Sequence, residues 1–487
     1  MNAVAARSPS RIATLVSLAA LAVAAVSIAW SLPIDDFWLA IASGRAILSG
    51  ADAAHAIALS WMPTIPGALN PQWGAQVMFA AVDNLGWALA VNAALIAIGL
   101  GLTLVRMARR GGPAAVAIAS FLGLAVLSVH LLARPQSFSI ALFPMALVLL
   151  ERFRDRWWLP FSLGVLVAGW ANLHGAFVVG QLAAAATLAD VAWLAWRRRD
   201  PAARRTLLIC ALALVAAGVA PLMNPAGGAL LGYAYGQGVS DVVRAISVEW
   251  QPAWPWEPIG TLFWGLVVLL VVGRILRRGG AGLGELLLGL TLGILAATGV
   301  RFIPWFVIAM APLLAADVEA LLEHAPLVRR AVGDVPSVLL GASGARLLAV
   351  LAVACVVLQP IRPALHASLS RLTPDEPVAA AERLQALVPG SRTPLLNEQV
   401  WGGYLSWSLG DRIQTAMDGR IEIRSRDTWQ RYFDLIGGTG DAAEGLAAAG
   451  VRWALLLPGR TALTARLEAS GWKETYQDEH AIVLHRP

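Results

Sequence analysis

Two neighbouring carboxylates, Asp35 and Asp36, stand where a long apolar run gives way to polar sequence. Further along, isolated polar residues mark the ends of other apolar runs: Arg134 and Gln136, Asn172 and His174, Asn224, and Arg301. A carboxylate within hydrogen-bond reach of a hydroxyl can take its proton as the hydroxyl attacks. A lone guanidinium offers a planar fork that suits a carboxylate or a phosphate. Gathered in one place, these groups have the means for acid–base chemistry beside an anion. Each also has a structural use. Asp35 and Asp36 can cap the helix that follows them. His174 can be a hydrogen-bonded packing residue, and Asn172 and Asn224 can satisfy backbone groups at helix ends.

The elements that must position these residues are read from hydropathy. The chain is 58% hydrophobic and only 14% charged, where a soluble protein carries about a quarter charged residues. The charge returns only after about Thr373, so most of the chain belongs in lipid and its end in water. A spanning helix needs roughly 20 mostly apolar residues. Eleven segments qualify, at 12–32, 86–105, 113–133, 136–150, 157–173, 176–196, 206–222, 259–276, 283–299, 302–318 and 344–361. The first follows Arg7 and Arg11 with no clear small-residue cleavage site and reads as an uncleaved helix.

Every second loop is rich in arginine: 106–110, 152–156, 197–205, 274–278 and 329–330. By the positive-inside rule these are cytoplasmic. The N-terminus is then cytoplasmic, and an odd number of spans leaves the C-terminus outside a bacterial inner membrane, in the periplasm. The formal charge of +6 thus reports topology and contact with membrane lipid rather than nucleic-acid binding. Cys210 and Cys355 both lie in apolar runs, which implies neither a disulfide framework nor a metal site.

The chemistry-bearing residues all fall at outer ends. Two outer loops are long, 33–85 and 224–258. Asp36 to Leu48 and Trp73 to Val82 have helical character and fit helices lying along the interface. The tryptophans of 250–256 fit an interfacial aromatic belt, with ligand stacking as the alternative. The architecture predicted is an α-helical polytopic membrane domain over 1–361, followed by a small α/β domain over 373–487. Helices are predicted over 378–387, 442–449 and 462–470, and strands over 393–396, 413–417, 453–457 and 481–485.

The motif series is Asp35-Asp36-Phe37-Trp38, Asn70-Pro71-Gln72-Trp73, Arg134-Pro135-Gln136, Trp170-Ala171-Asn172-Leu173-His174-Gly175, Asn224-Pro225 and Glu249-Trp250. It resembles a group of bacterial polytopic proteins that is similar to the GT-C glycosyltransferases, among them protein mannosyltransferases and lipopolysaccharide-core glycosyltransferases. The resemblance implies a multi-helix core, an acidic catalytic base in the first outer loop, and a sugar donor carried on a polyprenyl phosphate. Asp36, which directly precedes Phe37-Trp38, is then the preferred base, with Asp35 in support. The group often has a histidine soon after that tryptophan; Leu39 and Ala40 follow Trp38 here, so that role does not transfer. Trp401, Tyr404, Asp418 and Arg420 lie in a stretch similar to the Trp-Trp-Asp-Tyr-Gly region of oligosaccharyltransferases. Its acidic residue is replaced by glycine, so sequon recognition is not implied. The simpler reading is that Gly402 and Gly403 make a turn and the aromatics pack the domain.

By this resemblance the reaction is transfer of a sugar from a polyprenyl-phosphate donor to a hydroxyl acceptor of glycan, lipid or protein, with inversion. Arg134 and Arg301, with His174, would stabilise the leaving phosphate. Gln136, Asn172, Asn224 and Trp73 join the binding set. Some members of the superfamily use a divalent cation, and two adjacent acids do not by themselves establish one. The rivals are a lipid-linked sugar flippase, for which inverted repeats are missing, and a non-catalytic envelope assembly protein.

Overall fold

The computed structural model describes residues 33–82, 84–198, 201–236, 240–277, 280–326, 375–388, 390–439 and 442–487. The segments 12–32 and 344–361 and the Arg329-Arg330 loop lie outside them. Six described helices are long and apolar enough to cross a membrane, spanning Leu85–Met107, Pro113–His130, Phe177–Arg197, Ala203–Met223, Pro258–Arg277 and Val300–His324. Leu159–Leu173 and Leu283–Thr298 are shorter apolar helices, and Gln136–Arg152 occupies the segment expected at 136–150. Outward-facing Phe161, Val215, Val268, Ile275 and Leu290 are all at least 60% exposed. Such a surface suits lipid and not water. The chain is a multi-pass membrane protein.

The helix expected over 113–133 stops early. Its α-helical part ends at Leu127, a 3-10 turn covers Ser128–His130, and Ala133 is bridged to Pro33. Pro135 disfavours helical backbone at Arg134, so the helix does not run on into Gln136–Arg152. The last described helix of this set, Ile303–His324, packs almost wholly inside and contains Pro312. A proline has no N–H for the carbonyl four residues back. Arg106 supplies a donor there, with Nη1 2.7 Å from the Ile308 carbonyl, while its Nε and Nη2 hold Glu151 at 3.0 and 2.6 Å. A buried arginine is thus matched on both sides.

The helices of the first outer loop are not surface elements. Asp35–Leu48 packs against Trp73–Ala81 on one side and Gly402–Ser408 on another, and Phe37 and Trp38 are fully buried. The interfacial placement read from the sequence is corrected by this packing. Gly44 has no room for a Cβ, which would strike the Gln76 carbonyl. Trp38 meets Tyr404 edge-on at 5.7 Å and Trp407 at 4.4 Å. Each fully buried large apolar side chain contributes about 1.5–3 kcal/mol, so this contact holds the first loop and the C-terminal region together.

Residues 375–487 form a five-stranded sheet in the order β2-β1-β3-β5-β4. The strands are β1 Thr393–Asn397, β2 Ile413–Thr415, β3 Trp453–Leu456, β4 Lys473–Gln477 and β5 Ile482–His485. β1 runs parallel to both β2 and β3, while β5 is antiparallel to β3 and β4. The edge strand β2 is covered rather than open: Ser60 bridges to Thr415, and Trp61 donates its N–H to the Thr415 carbonyl at 2.9 Å. Loop 52–70 of the membrane part is thereby sewn to the sheet.

Candidate functional site

Helix Asp35–Leu48 begins after Ile34, and no side chain caps it. Neither Asp35 nor Asp36 is a cap, which removes that reading of the pair. Their carboxylates part company. Asp35 faces the C-terminal sheet unit and accepts the Gly403 N–H at 2.5 Å and the Gly419 N–H at 3.0 Å. A Cβ on either glycine would press on Asp35, so Gly402-Gly403 opens a helix against an acid and does not make a turn. Burial, with Glu376, Asp36 and Asp418 nearby, pushes the Asp35 carboxyl well above its ordinary value.

Asp36 lies deep in the protein yet keeps 45% of its side chain accessible, so it lines a cleft. Burial pushes its carboxyl up to about 6, against the pull of Arg134 and with repulsion from Glu249 and Glu422. Arg134 is 4% exposed. Its Nη1 is 4.0 Å from Asp36 Oδ2 and 2.5 Å from Glu249 Oε1. The sequence offered no acidic partner for Arg134; the fold supplies Glu249 from 115 residues away. Burial alone would raise Glu249, but Arg134 and Arg301 outweigh it and hold the carboxyl below its usual value.

Arg301 differs. Its guanidinium lies over the Trp250 ring at 4.3 Å, and among the described residues no carboxylate comes within 4.0 Å of it. The tryptophans of 250–256 therefore divide: Trp250 is buried beneath a cation, while Trp254 and Trp256 stack on each other with Trp256 71% exposed. Arg301 acts electrostatically on Asp36, His174, Glu249 and Tyr233, so all share one neighbourhood. Its position is set by backbone ties: Val300 donates to the Gln251 carbonyl and Ala253 to the Ala297 carbonyl.

His174 Nδ1 is met by the Ala176 N–H at 3.3 Å and by Ser139 Oγ at 2.8 Å. An amide can only donate, so Nδ1 accepts and the ring proton sits on Nε2. Burial, with Arg301 and Arg134 adding to it, pushes the ring down to about 3. His174 is thus neutral and offers one N–H, not a charge.

The remaining residues are placed as follows. Trp73 Nε1 donates to Asn172 Oδ1 at 2.7 Å, joining Trp73–Ala81 to Leu159–Leu173. Asn224 donates to the Ala171 carbonyl at 3.0 Å and accepts from Ala226 N–H at 2.9 Å. Gln136 is buried in the first turn of its helix. Trp401 and Tyr404 are 3% and 2% exposed, and Trp401 Nε1 donates to the Asp375 carbonyl at 3.0 Å. Asp418 is fully buried between Arg420 and Arg424, with closest contacts of 2.7 and 3.0 Å. Burial would raise its carboxyl, but the two arginines hold it far below the usual range. Arg420 also donates to the Ile57 carbonyl at 2.8 Å and Arg424 to Ser60 Oγ at 2.6 Å.

Several residues of this neighbourhood escaped sequence reasoning: Glu422, Tyr233, Glu376 and Ser139. Glu422 accepts the Tyr233 hydroxyl at 3.2 Å and bears on Asp36. Nothing in local spacing joins position 233 to 422. Glu249 was visible as part of a motif, but its pairing was not. Among the described residues no group of three or more His, Cys, Asp or Glu has the geometry to hold a metal ion.

No family model matches the sequence, and no curated protein does. Solved structures do. ArnT from Cupriavidus metallidurans in the apo state aligns with a TM-score of 0.53 at 16% identity, over 96% of this chain and 97% of that one. The same protein bound to undecaprenyl phosphate aligns with a TM-score of 0.53 at 15% identity, over the same shares. The archaeal oligosaccharyltransferase AglB from Archaeoglobus fulgidus, in complex with an inhibitory peptide and a dolichol-phosphate, aligns with a TM-score of 0.47 at 10% identity, over 98% of this chain and 74% of that one. Across nearly its whole length, therefore, this chain shares the fold of ArnT.

Proposed function

We propose that this protein is a membrane glycosyltransferase that moves a sugar from a polyprenyl phosphate to a hydroxyl acceptor at the outer membrane face. The observation that carries the reading is that an accessible carboxylate, Asp36, shares a neighbourhood with a cation, Arg301, that has no ion-pair partner among the described residues. Asp36 takes the acceptor's proton as the hydroxyl oxygen bonds to the anomeric carbon. The bond from that carbon to the phosphate oxygen breaks, and the polyprenyl phosphate leaves with the electron pair. Attack opposite the leaving group inverts the centre. Arg301 stabilises the leaving charge, backed by the Trp250 face. Arg134 is held by Glu249 through Nη1, while its buried Nε and Nη2 have no hydrogen-bond partner among the described residues. Support for the lipid phosphate comes from the ArnT structure that holds undecaprenyl phosphate. The direct test is release of undecaprenyl phosphate from an undecaprenyl phosphosugar by the purified protein, with envelope extract as acceptor. No release with any sugar of a hexose and N-acetylhexosamine panel would count against the reading.

Arg301→Gln is expected to weaken undecaprenyl phosphate binding by about tenfold or more, since a charge-assisted hydrogen bond contributes about 1.5–3 kcal/mol. Arg301→Lys recovers only part, because the fork is lost. Quenching of tryptophan fluorescence on lipid addition measures both, and an unchanged affinity in folded Arg301→Gln removes the phosphate role.

The reading requires the cleft to open outside the cytoplasm. In a variant lacking both native cysteines, Ala203→Cys is expected to resist an impermeant thiol reagent in intact cells and Arg431→Cys to react. Labelling at position 203, or none at the exposed position 431, reverses the topology.

A further inference from the structure

Glu422 has no role in the mechanism above, yet it is a carboxylate in the same neighbourhood without a direct ion pair among the described residues. Among the described residues no cation lies within 4.0 Å of it. Its side chain accepts one hydrogen bond among the described residues, from the Tyr233 hydroxyl at 3.2 Å. Both residues are only partly buried. One neutral donor leaves most of the carboxylate's lone pairs open. Its backbone is held firmly all the same. Trp429 Nε1 donates to the Ile421 carbonyl at 3.2 Å, and Ile65 N–H to the Ile423 carbonyl at 2.7 Å. The Arg420–Asp418–Arg424 cluster closes the same loop from below. That loop rests on the catalytic end of helix Asp35–Leu48: a Cβ at Gly419 would meet Asp35 Oδ2 and stand 3.5 Å from Asp36 Oδ1.

Tyr233 comes from the outer loop 224–258, Glu422 from the C-terminal region, and Asp36 from the first outer loop. Three parts of the chain distant in sequence therefore meet around one space, and Arg301 acts electrostatically on Tyr233 there. With the phenol's one proton given to Glu422, the carboxylate and the phenol oxygen present acceptor lone pairs side by side, at the spacing of neighbouring hydroxyls. The ligand that matches is one bearing several O–H groups close to a phosphate.

We propose that Glu422 and Tyr233 form a sugar-hydroxyl subsite that the C-terminal region contributes to the membrane cleft. It rests on the glycosyltransferase reading and adds to it what grips the sugar. The same chemistry serves a sugar on the donor or on the acceptor, and the test separates the two.

Wild type, Glu422→Gln and Tyr233→Phe are compared as full-length protein in lipid nanodiscs. Binding is measured for bare undecaprenyl phosphate and for a panel of undecaprenyl phosphohexoses and phospho-N-acetylhexosamines. Glu422→Gln keeps the shape and can still accept from Tyr233. If the subsite holds the donor sugar, Glu422→Gln weakens the sugar-bearing lipid that wild type prefers by about tenfold or more and leaves the bare lipid unchanged. If it holds the acceptor, both lipids bind as before. The amount of envelope extract that half-saturates release of undecaprenyl phosphate then rises about tenfold at an unchanged maximum. Tyr233→Phe follows in the same direction with a smaller change. Equal weakening of both lipids would mean a structural role and overturns the subsite, as does no change in any of these measurements. Failure of wild type to bind either lipid overturns the glycosyltransferase reading itself, and the subsite with it.

Discussion

Asp36→Asn is expected to lower sugar transfer by ~10²-fold or more while leaving the protein folded and able to bind undecaprenyl phosphate. The folding half of that expectation comes from the structure. Asp36 caps nothing, and its nearest cation stands at 4.0 Å. Arg134 keeps its closer partner, Glu249, at 2.5 Å, so removing the Asp36 charge strands no buried group. The activity half comes from its accessibility in the cleft. Burial places its carboxyl at about 6, so below that pH the base is protonated and idle. In wild type, kcat/KM should rise with pH through about 6 and then level; in the variant that limb should vanish. Asp35→Asn is a different experiment. It disturbs two backbone N–H contacts to Gly403 and Gly419, and is expected to loosen the C-terminal region before it affects proton transfer. Wild-type transfer rates in Asp36→Asn would show that another group is the base.

The largest effect on stability is expected at Asp418. Replacing it with leucine leaves Arg420 and Arg424 buried without their shared carboxylate. Breaking a buried pair in this way costs about 3–5 kcal/mol. The loss is not confined to the sheet, because the two arginines also bind Ile57 and Ser60 of the first outer loop. Melting of the purified protein should shift downward, and limited proteolysis should begin within 52–70 or 418–424. Transfer should fall as well, since Gly419 and Glu422 both ride on this loop. Replacing all three charges together, as Asp418→Leu with Arg420→Met and Arg424→Met, should restore much of the stability, because apolar groups of similar size can replace a buried ion cluster. It should not restore transfer if the loop has to be held rigidly over Asp36. A folded and fully stable Asp418→Leu would show that the cluster does not tie the two regions together.

Much of this architecture is legible in one dimension, because lipid imposes a length and a composition on each helix and water imposes a period on each strand. Hence the helix at Val378–Leu387 and four of the five strands fall where alternation and apolar runs put them. β4, Lys473–Gln477, was missed because its outer edge position leaves it largely exposed and polar. Gly402-Gly403 reads as a turn because two glycines are a turn signal. Their actual cause is a close approach by Asp35 that no local rule can see.

The same division runs through the site. The types of the residues, and their recurrence at the ends of apolar runs, are properties of the sequence: a base must be ionisable, and a phosphate ligand must be a donor. Which of them remain available is a property of the fold alone. Asp35 and Asp36 are adjacent and chemically identical, yet one is bound by two backbone N–H groups and the other opens to a cleft. Arg134 and Arg301 look alike in sequence, yet among the described residues only Arg134 is paired with a carboxylate. His174 reads as a titratable group, and its surroundings make it a neutral one. Sequence specifies which groups can carry charge; partners brought from 115 or 189 residues away decide whether that charge is already spoken for.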